Sequence, residues 1–222
     1  MENLERVFQP PFDEVFRKEY YLKGKWCRNI FGNDNPLILE LGCGKGEYSV
    51  GQARLNPNKN FMGLDIKGAR IWTGAKVAQD EGISNVAFLR TRIDFVNSFF
   101  EKDEVSEIWI TFPDPQEKRR RLKKRLTGAH FLNMYGAFLK DGGSIHLKTD
   151  NLLLYKDTLE LALFNELEVE QSSTDVYSEG WNDERVSIQT YYEKRFLAEG
   201  TKINYLCFRL PAGKEITEVS NG

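Results

Sequence analysis

The segment Phe112-Pro113-Asp114-Pro115 runs almost directly into Lys118-Arg119-Arg120-Arg121-Leu122-Lys123-Lys124-Arg125, which sets one carboxylate beside seven cationic side chains. Each proline fixes its own φ and holds the residue before it extended, so Asp114 belongs to a stiff, non-helical turn. Arg119, Arg120, Arg121, Lys123, Lys124 and Arg125 together make the kind of surface that grips a phosphate backbone, the alternative for such a run being a plain solvated face. A carboxylate fixed beside a phosphate grip points to chemistry on nucleic acid.

A second constellation lies upstream. Glu40-Leu41-Gly42-Cys43-Gly44-Lys45-Gly46 alternates glycines, which lets the backbone turn sharply and approach a ligand closely. The helix that follows offers free N–H groups at its start. Glu47 occupies the place of the third glycine in the dinucleotide fingerprint GxGxxG, and its charge opposes a pyrophosphate. Glu40 suits a cationic ligand end instead, such as the amino group and sulfonium of S-adenosylmethionine. Asp65, about twenty residues further on, is placed to accept both hydroxyls of a ribose.

The elements that position these residues follow from hydrophobic patterning. Apolar runs at Leu37 to Leu41, Phe61 to Asp65, Val86 to Arg90, Ile108 to Thr111 and Ser144 to Lys148 read as strands. Between them the pattern predicts helices to about Leu55, over Ala69 to Gln79, over Phe95 to Glu101 and up to Leu139, with a turn at Gly142-Gly143. Repeated strand–helix units demand a parallel sheet with helices on both faces. A helix over Leu152 to Phe164, alternating residues from Leu167 to Val176, a helix Thr190 to Ala198 and a strand Asn204 to Leu210 then complete the sheet with an antiparallel edge. Phe8, Phe12, Phe16 and Tyr20, four apart around Pro10-Pro11, predict a short N-terminal helix.

The 222 residues carry no linker-like break, so they read as one domain, 1–222, with 1–35 as an N-terminal helical extension. The apolar runs are too short to cross a bilayer, and Met1 to Arg6 lacks the features of a secretory signal, so the expected location is the cytoplasm. Cys27, Cys43 and Cys207 have neither disulfide nor zinc spacing, so no metal is expected. The net charge of -2 conceals the local cationic run, and local charge steers a polyanion.

ELGCGKGEY at Glu40 to Tyr48, LDIKGARIW at Leu64 to Trp72, FPDP with its basic run, LKTD at Leu147 to Asp150 and TYYEKRFLAEG at Thr190 to Gly200 stand in order along the chain. In these motifs the sequence resembles the bacterial tRNA (guanine-N7)-methyltransferase family. The resemblance implies an α/β, Rossmann-like class I methyltransferase fold with a mostly parallel seven-stranded sheet, helices on both faces and an antiparallel edge strand. It implies transfer of the methyl of S-adenosylmethionine to N7 of a guanosine in the tRNA variable loop, by a monomer or a homodimer. The implied cofactor contacts are Glu40, Asp65, a residue of the Arg92 to Asp94 turn and Asp114, around the loop of Gly42, Gly44 and Gly46. The implied substrate contacts are Lys118, Asp150, Thr190, Tyr191, Tyr192 and Glu193. Two positions depart from the family pattern: Gln116 stands where tryptophan is usual, and Arg92 where aspartate is usual, so either Asp94 or backbone takes the adenine contact.

Guanine N7 has an in-plane lone pair and needs no general base, so the expected catalytic residues, Asp114 and Asp150, hold the base and offset its developing positive charge. As structural alternatives, Asp150 suits a helix N-cap, and Thr190 with Glu193 suits a capping box. Lys148 reads as a strand-end residue, and His130 and His146 as packing or solvent-facing. Competing functions are an amino-group methyltransferase, with FPDP as a relative of (D/N)PP(Y/F), and a non-catalytic RNA-binding module; the intact glycine loop and Asp65 weigh against the second.

Overall fold

Leu37–Leu41 is buried at every residue, as a strand covered on both faces must be, and it forms β2 at the centre of an eight-stranded sheet. The computed structural model describes residues 4–178 and 183–219, with the side chain of Arg119 outside that description. The other strands are β1 (Val7–Phe8), β3 (Asn60–Asp65), β4 (Val86–Arg90), β5 (Val105–Thr111), β6 (Leu139–Thr149), β7 (Val169–Ser173) and β8 (Asn204–Leu210). Their order is β1-β4-β3-β2-β5-β6-β8-β7, with the first six parallel and β8 antiparallel to both β6 and β7.

The helices are α1 (Phe12–Val15), α2 (Glu47–Leu55), α3 (Gly68–Asp80), α4 (Ala129–Tyr135), α5 (Leu152–Phe164), α6 (Glu184–Ser187) and α7 (Tyr191–Ala198). One apolar cluster unites Leu37, Leu39 and Leu41 with Trp26, α4 and α5; the other unites Ile38, Tyr48, Trp109 and Tyr205 with α2 and α3. Alternate residues of β2 thus feed opposite layers. Among the described residues no helix is long and apolar enough to cross a membrane.

The α/β architecture agrees with the expected fold, and five local expectations are corrected. The sheet has eight strands, because Val7 and Phe8 pair with Phe88 and Leu89 as an added edge. Pro10-Pro11 hold this stretch extended, so the four-residue aromatic spacing is split: Phe8 meets Trp26 edge-on, while only Phe12 and Phe16 stack across α1. In place of a helix Phe95 to Glu101 the chain makes a 3-10 turn, Ile93–Ser98, and the helix expected up to Leu139 ends at Tyr135, Leu139 being the first residue of β6. Gly142-Gly143 is no terminal turn but an irregularity inside β6, where Val105 pairs with Leu139 and Glu107 already with Ser144.

Because β2 to β6 are parallel, Leu41, Asp65, Arg90, Thr111 and Thr149 all end at one edge of the sheet. The loops carrying the sequence motifs therefore converge there, in the crevice where open α/β sheets take ligands.

Candidate active site

Gly42 and Gly44 adopt φ of 78° and 55°, and a Cβ on either would meet no atom within 4 Å. These two glycines leave open space that a ligand can enter. Gly46 does a different job, since a Cβ there would lie 2.5 Å from the Phe88 ring and press on Gly74. It allows α2 to pack against β4 and α3.

Asp65 is fixed by two backbone donors: Gly44 N–H reaches Oδ2 at 2.9 Å and Lys67 N–H reaches Oδ1 at 2.7 Å. The carboxylate borders a cleft of about 840 Å³ whose wall also includes Gly42, Thr91, Arg92, Asp94, Gln116, Lys123 and Lys124. Arg92 and Asp94 are both exposed there and paired at 3.2 Å. His130 also borders the cleft and is exposed, whereas His146 is buried, stacked on Trp109 at 3.9 Å.

Glu40 lies beneath the glycine loop and is only 4% exposed. Its Oε2 accepts from the Ser49 backbone and hydroxyl, and its Oε1 from Thr111 Oγ1 at 2.7 Å. It therefore ties the first turn of α2 to the end of β5. Burial pushes its pKa from 4.5 to about 7, against the pull of these hydrogen bonds.

At the end of β5, Phe112 takes a φ of 48°, donates its N–H to Lys148 O and packs its ring 5.8 Å from Phe196. The reversal turns Asp114 outward. Asp114 is exposed, and its Oδ1 accepts from Gln116 N–H at 3.0 Å, which closes an Asx turn. Gln116 itself has a φ of 48°, and its buried side-chain Oε1 has no hydrogen-bond partner.

The basic run forms a 3-10 turn, Arg119–Lys124. Lys118, Arg120, Arg121, Lys123 and Lys124 are exposed, in keeping with a phosphate-facing surface. Arg125 departs from its expected place among them: it is 7% exposed, bonded to Pro115 O at 2.9 Å and to Asp157 at 2.5 Å. The arginine braces FPDP against α5.

The N-cap of α5 is Asn151, whose side chain accepts from Leu154 N–H at 2.8 Å. Asp150, one residue earlier, is half-buried, and burial raises its pKa above the ordinary carboxylate value. Thr190 caps α7 by accepting from Glu193 N–H at 3.3 Å. Glu193 does not complete the box. It is wholly buried, 2.6 Å from Lys148 Nζ, with Tyr177 OH donating to its Oε1 at 2.5 Å. Lys148 also donates to the carbonyls of Val186 and Ile188. Burial lowers the Lys148 pKa and raises that of Glu193, both opposed by their mutual attraction.

Tyr191 N–H donates to Glu47 Oε2 at 3.0 Å, and its ring lies 4.5 Å from Lys45 Nζ. The start of α7 is thus seated on the glycine loop from one side and locked to β6 from the other, while Tyr191 and Tyr192 stay 53% and 40% exposed. Lys148, Tyr177, Lys45 and Glu47 build the site without being among its expected contacts. Lys45 and Glu47 stand in the glycine motif and Lys148 directly after the apolar run Ile145 to Leu147, whereas Tyr177 carries no such mark in the sequence.

Residues 34–206 match the family described as "Putative methyltransferase". The chain is 49% identical over 210 residues to the tRNA (guanine-N(7)-)-methyltransferase of Christiangramia forsetii, covering 94% of each. It is 50% identical over 213 residues to that of Porphyromonas gingivalis, across 95% of this chain and 86% of the other. In fold it is similar to the 16S rRNA (adenine(1408)-N(1))-methyltransferase of Catenulisporales acidiphilia solved with cosubstrate SAM, with a TM-score of 0.56 and 16% identity over 88% of this chain and 93% of that one. Close to half of all residues are shared along nearly the whole length, and FPDP follows β5 and LKTD closes β6 at the same sheet edge as the glycine loop and Asp65: the chain belongs to the tRNA (guanine-N(7)-)-methyltransferase family.

Proposed function

We propose that this chain transfers the methyl group of S-adenosylmethionine to N7 of a guanosine in the variable loop of tRNA, in the cytoplasm. The observation that carries the proposal is the single cleft joining the open glycine loop and Asp65 to Gln116 and the cationic Lys123 and Lys124. The glycine loop with Asp65 and the cationic Lys123 and Lys124 share one opening.

The residues suit S-adenosylmethionine. Gly42 and Gly44 leave room for it, Asp65 is oriented by two N–H groups to accept from ribose hydroxyls, and Glu40 lies beneath the loop, bonded to Ser49 and Thr111. Bound there, the cofactor supplies a methyl group made electrophilic by its sulfonium. Arg92, Asp94 and Gln116 border the same cleft and are assigned to the adenine end, with Gln116 Oε1 free to accept a hydrogen bond.

Guanine N7 presents its lone pair without losing a proton, so the chain's work is to orient and to balance charge. We assign Asp114 and Asp150 to the N1 and N2 donors of the base, where their carboxylates offset the positive charge that forms on the purine. Lys118, Thr190, Tyr191 and Tyr192 are assigned to the nucleotide around it. Glu193, whose Oε1 is held by Lys148 and Tyr177, orients the start of α7 and has one further oxygen, Oε2, without a hydrogen-bond partner. Such positioning contributes up to roughly 7 to 11 kcal/mol of barrier lowering. The deep, narrow major groove of A-form helices hides N7, so the target guanosine lies in an irregular region of the RNA.

Incubation with S-adenosylmethionine and unmodified tRNA transcript, followed by nucleoside mass spectrometry, tests the proposal. The expected product is 7-methylguanosine. Methyladenosine would favour the amino-group reading, and no product together with no cofactor binding by calorimetry would favour the RNA-binding module.

A further inference from the structure

Among the described phenylalanines only Phe12, Phe16 and Phe164 are exposed, and the first two stand together at 60% and 43%. Four apart across α1, they stack at 4.8 Å with 20° between their planes, and Phe95 closes the group edge-on to both, at 5.6 Å and 6.3 Å. The opposite side of α1 is anchored. Val15 is buried, its carbonyl accepts from Ser98 Oγ at 2.9 Å, and Ser98 O accepts from Tyr20 N–H at 2.8 Å. The rings therefore sit on a fixed base while their faces stay open to solvent, and exposed apolar surface gathered in this way marks a contact site.

The rim of this aromatic group is cationic. Arg17 has a φ of 57°, uncommon for a residue with a side chain, and its guanidinium lies 5.2 Å from the Phe16 centroid. Arg92 lies 5.7 Å from the Phe95 centroid, and Arg90 reaches Gln9 Oε1 at 3.4 Å, beside the Pro10-Pro11 entry to α1. Asp13 and Glu14 stand about 100° and 200° around the helix from Phe12, away from the face that the rings share. Arg92 also belongs to the wall of the cleft that holds Asp65 and Lys123, so the rings adjoin the opening assigned to the cofactor and the target guanosine. Planar apolar faces bordered by guanidinium groups fit an unpaired nucleotide, whose base stacks while its phosphate meets the cation. The arginine rim adds nothing to the docking of an apolar peptide.

We infer that Phe12 and Phe16, with Arg17 at their edge, form a stacking platform for an unpaired base of the tRNA beside the nucleotide that enters the cleft. Phe12, the more exposed ring, takes the base. The inference rests on the tRNA methyl-transfer reading and adds to it a contact outside the basic turn. Because a phenyl face stacks on any base, the platform holds the RNA without choosing its sequence.

Filter binding of unmodified tRNA transcript to the full chain tests it, with circular dichroism melting to establish that each variant is folded and calorimetry to follow S-adenosylmethionine. Phe12→Ala with Phe16→Ala is expected to raise the tRNA dissociation constant about fivefold or more, the least that loss of one stacked base brings, with cofactor affinity and the salt slope unchanged. Phe12→Leu with Phe16→Leu keeps the apolar cover and removes the π faces, and should bind as weakly as the alanine pair, whereas Phe12→Trp should stay within about threefold of the parent. A leucine pair that binds tRNA like the parent overturns the inference and leaves the aromatic face to an apolar partner. So does an alanine pair that loses S-adenosylmethionine in parallel, which would make the rings part of the cofactor wall. A parent that forms 7-methylguanosine while both pairs bind tRNA as it does sinks the platform alone; a parent that neither binds nor methylates tRNA sinks the methyl-transfer reading and the platform with it.

Discussion

Glu40 and Asp150, each at the edge of the sheet where the loops converge, are prepared for different work by their surroundings. Glu40 is sealed under the glycine loop with both oxygens hydrogen-bonded, and its pKa of about 7 reflects the cost of keeping a charge there. Its folded-state pKa lies above the unfolded value of 4.5, so its contribution to stability is fully present below about 4.5 and is lost as pH rises through about 7. Against a Glu40→Gln variant, which has no such titration, the parent chain should lose on the order of 3 kcal/mol across that window and nothing further above it. Urea unfolding of both proteins at a series of pH values measures the difference, and a difference constant with pH would show that Glu40 stays charged throughout. Asp150 is half-buried and is not the cap of α5, because Asn151 takes that place. Asp150→Asn keeps the shape and removes the charge; turnover should fall about 10²- to 10³-fold, the loss typical of one stabilising group in a reaction centre, with the cofactor dissociation constant unchanged in calorimetry. Loss of cofactor affinity as well would move Asp150 to the cofactor side of the cleft.

At the level of elements, the basic run separates into two functions that composition alone could not separate. Lys118, Arg120, Arg121, Lys123 and Lys124 are exposed, whereas Arg125 is spent on Pro115 and Asp157. If about four phosphates are gripped, the log–log salt slope of tRNA binding should be near -3, and replacing Lys123 and Lys124 with alanine should make it shallower by about 1.4. Arg125→Ala should leave the slope unchanged and lower the melting temperature instead, so filter binding over a salt series together with a melting curve tells the two kinds of residue apart. The run was legible as charge; the sorting was not, because it depends on Asp157, which arrives from a helix more than thirty residues downstream. The same holds for α7. Its cap at Thr190 could be read from the sequence, but the partner of Glu193 lies on β6, so a local capping box was expected where a buried ion pair is found. Lys148→Met leaves Glu193 buried without its cation and should cost about 3–5 kcal/mol in urea unfolding, while Lys148→Met with Glu193→Leu should recover most of it. Equal instability of the two variants would contradict the pairing.

Across the whole molecule, the alternation of apolar strands and helices fixed the parallel sheet, because that periodicity depends only on local burial. It misses β1, a two-residue strand whose partner Phe88 lies some eighty positions away, it makes a helix of the 3-10 turn Ile93–Ser98, and it carries α4 past its end at Tyr135 to Leu139. The convergence of five motifs on one sheet edge is the global property that makes the chain an enzyme framework, and it rests on topology: parallel strands must all end on the same side. From that convergence comes the central claim, that the methyl group is delivered to guanine N7 in tRNA. Replacing the acceptor guanosine by 7-deazaguanosine removes only the nucleophilic nitrogen and leaves every donor that Asp114 and Asp150 are assigned to hold. The measurement is methyl incorporation from labelled S-adenosylmethionine into tRNA carrying that single replacement, beside the unmodified transcript. The expected result is full incorporation into the transcript and none into the 7-deaza tRNA, which should still bind with unchanged affinity; undiminished incorporation into the 7-deaza tRNA would put the methyl group on another atom and contradict the account.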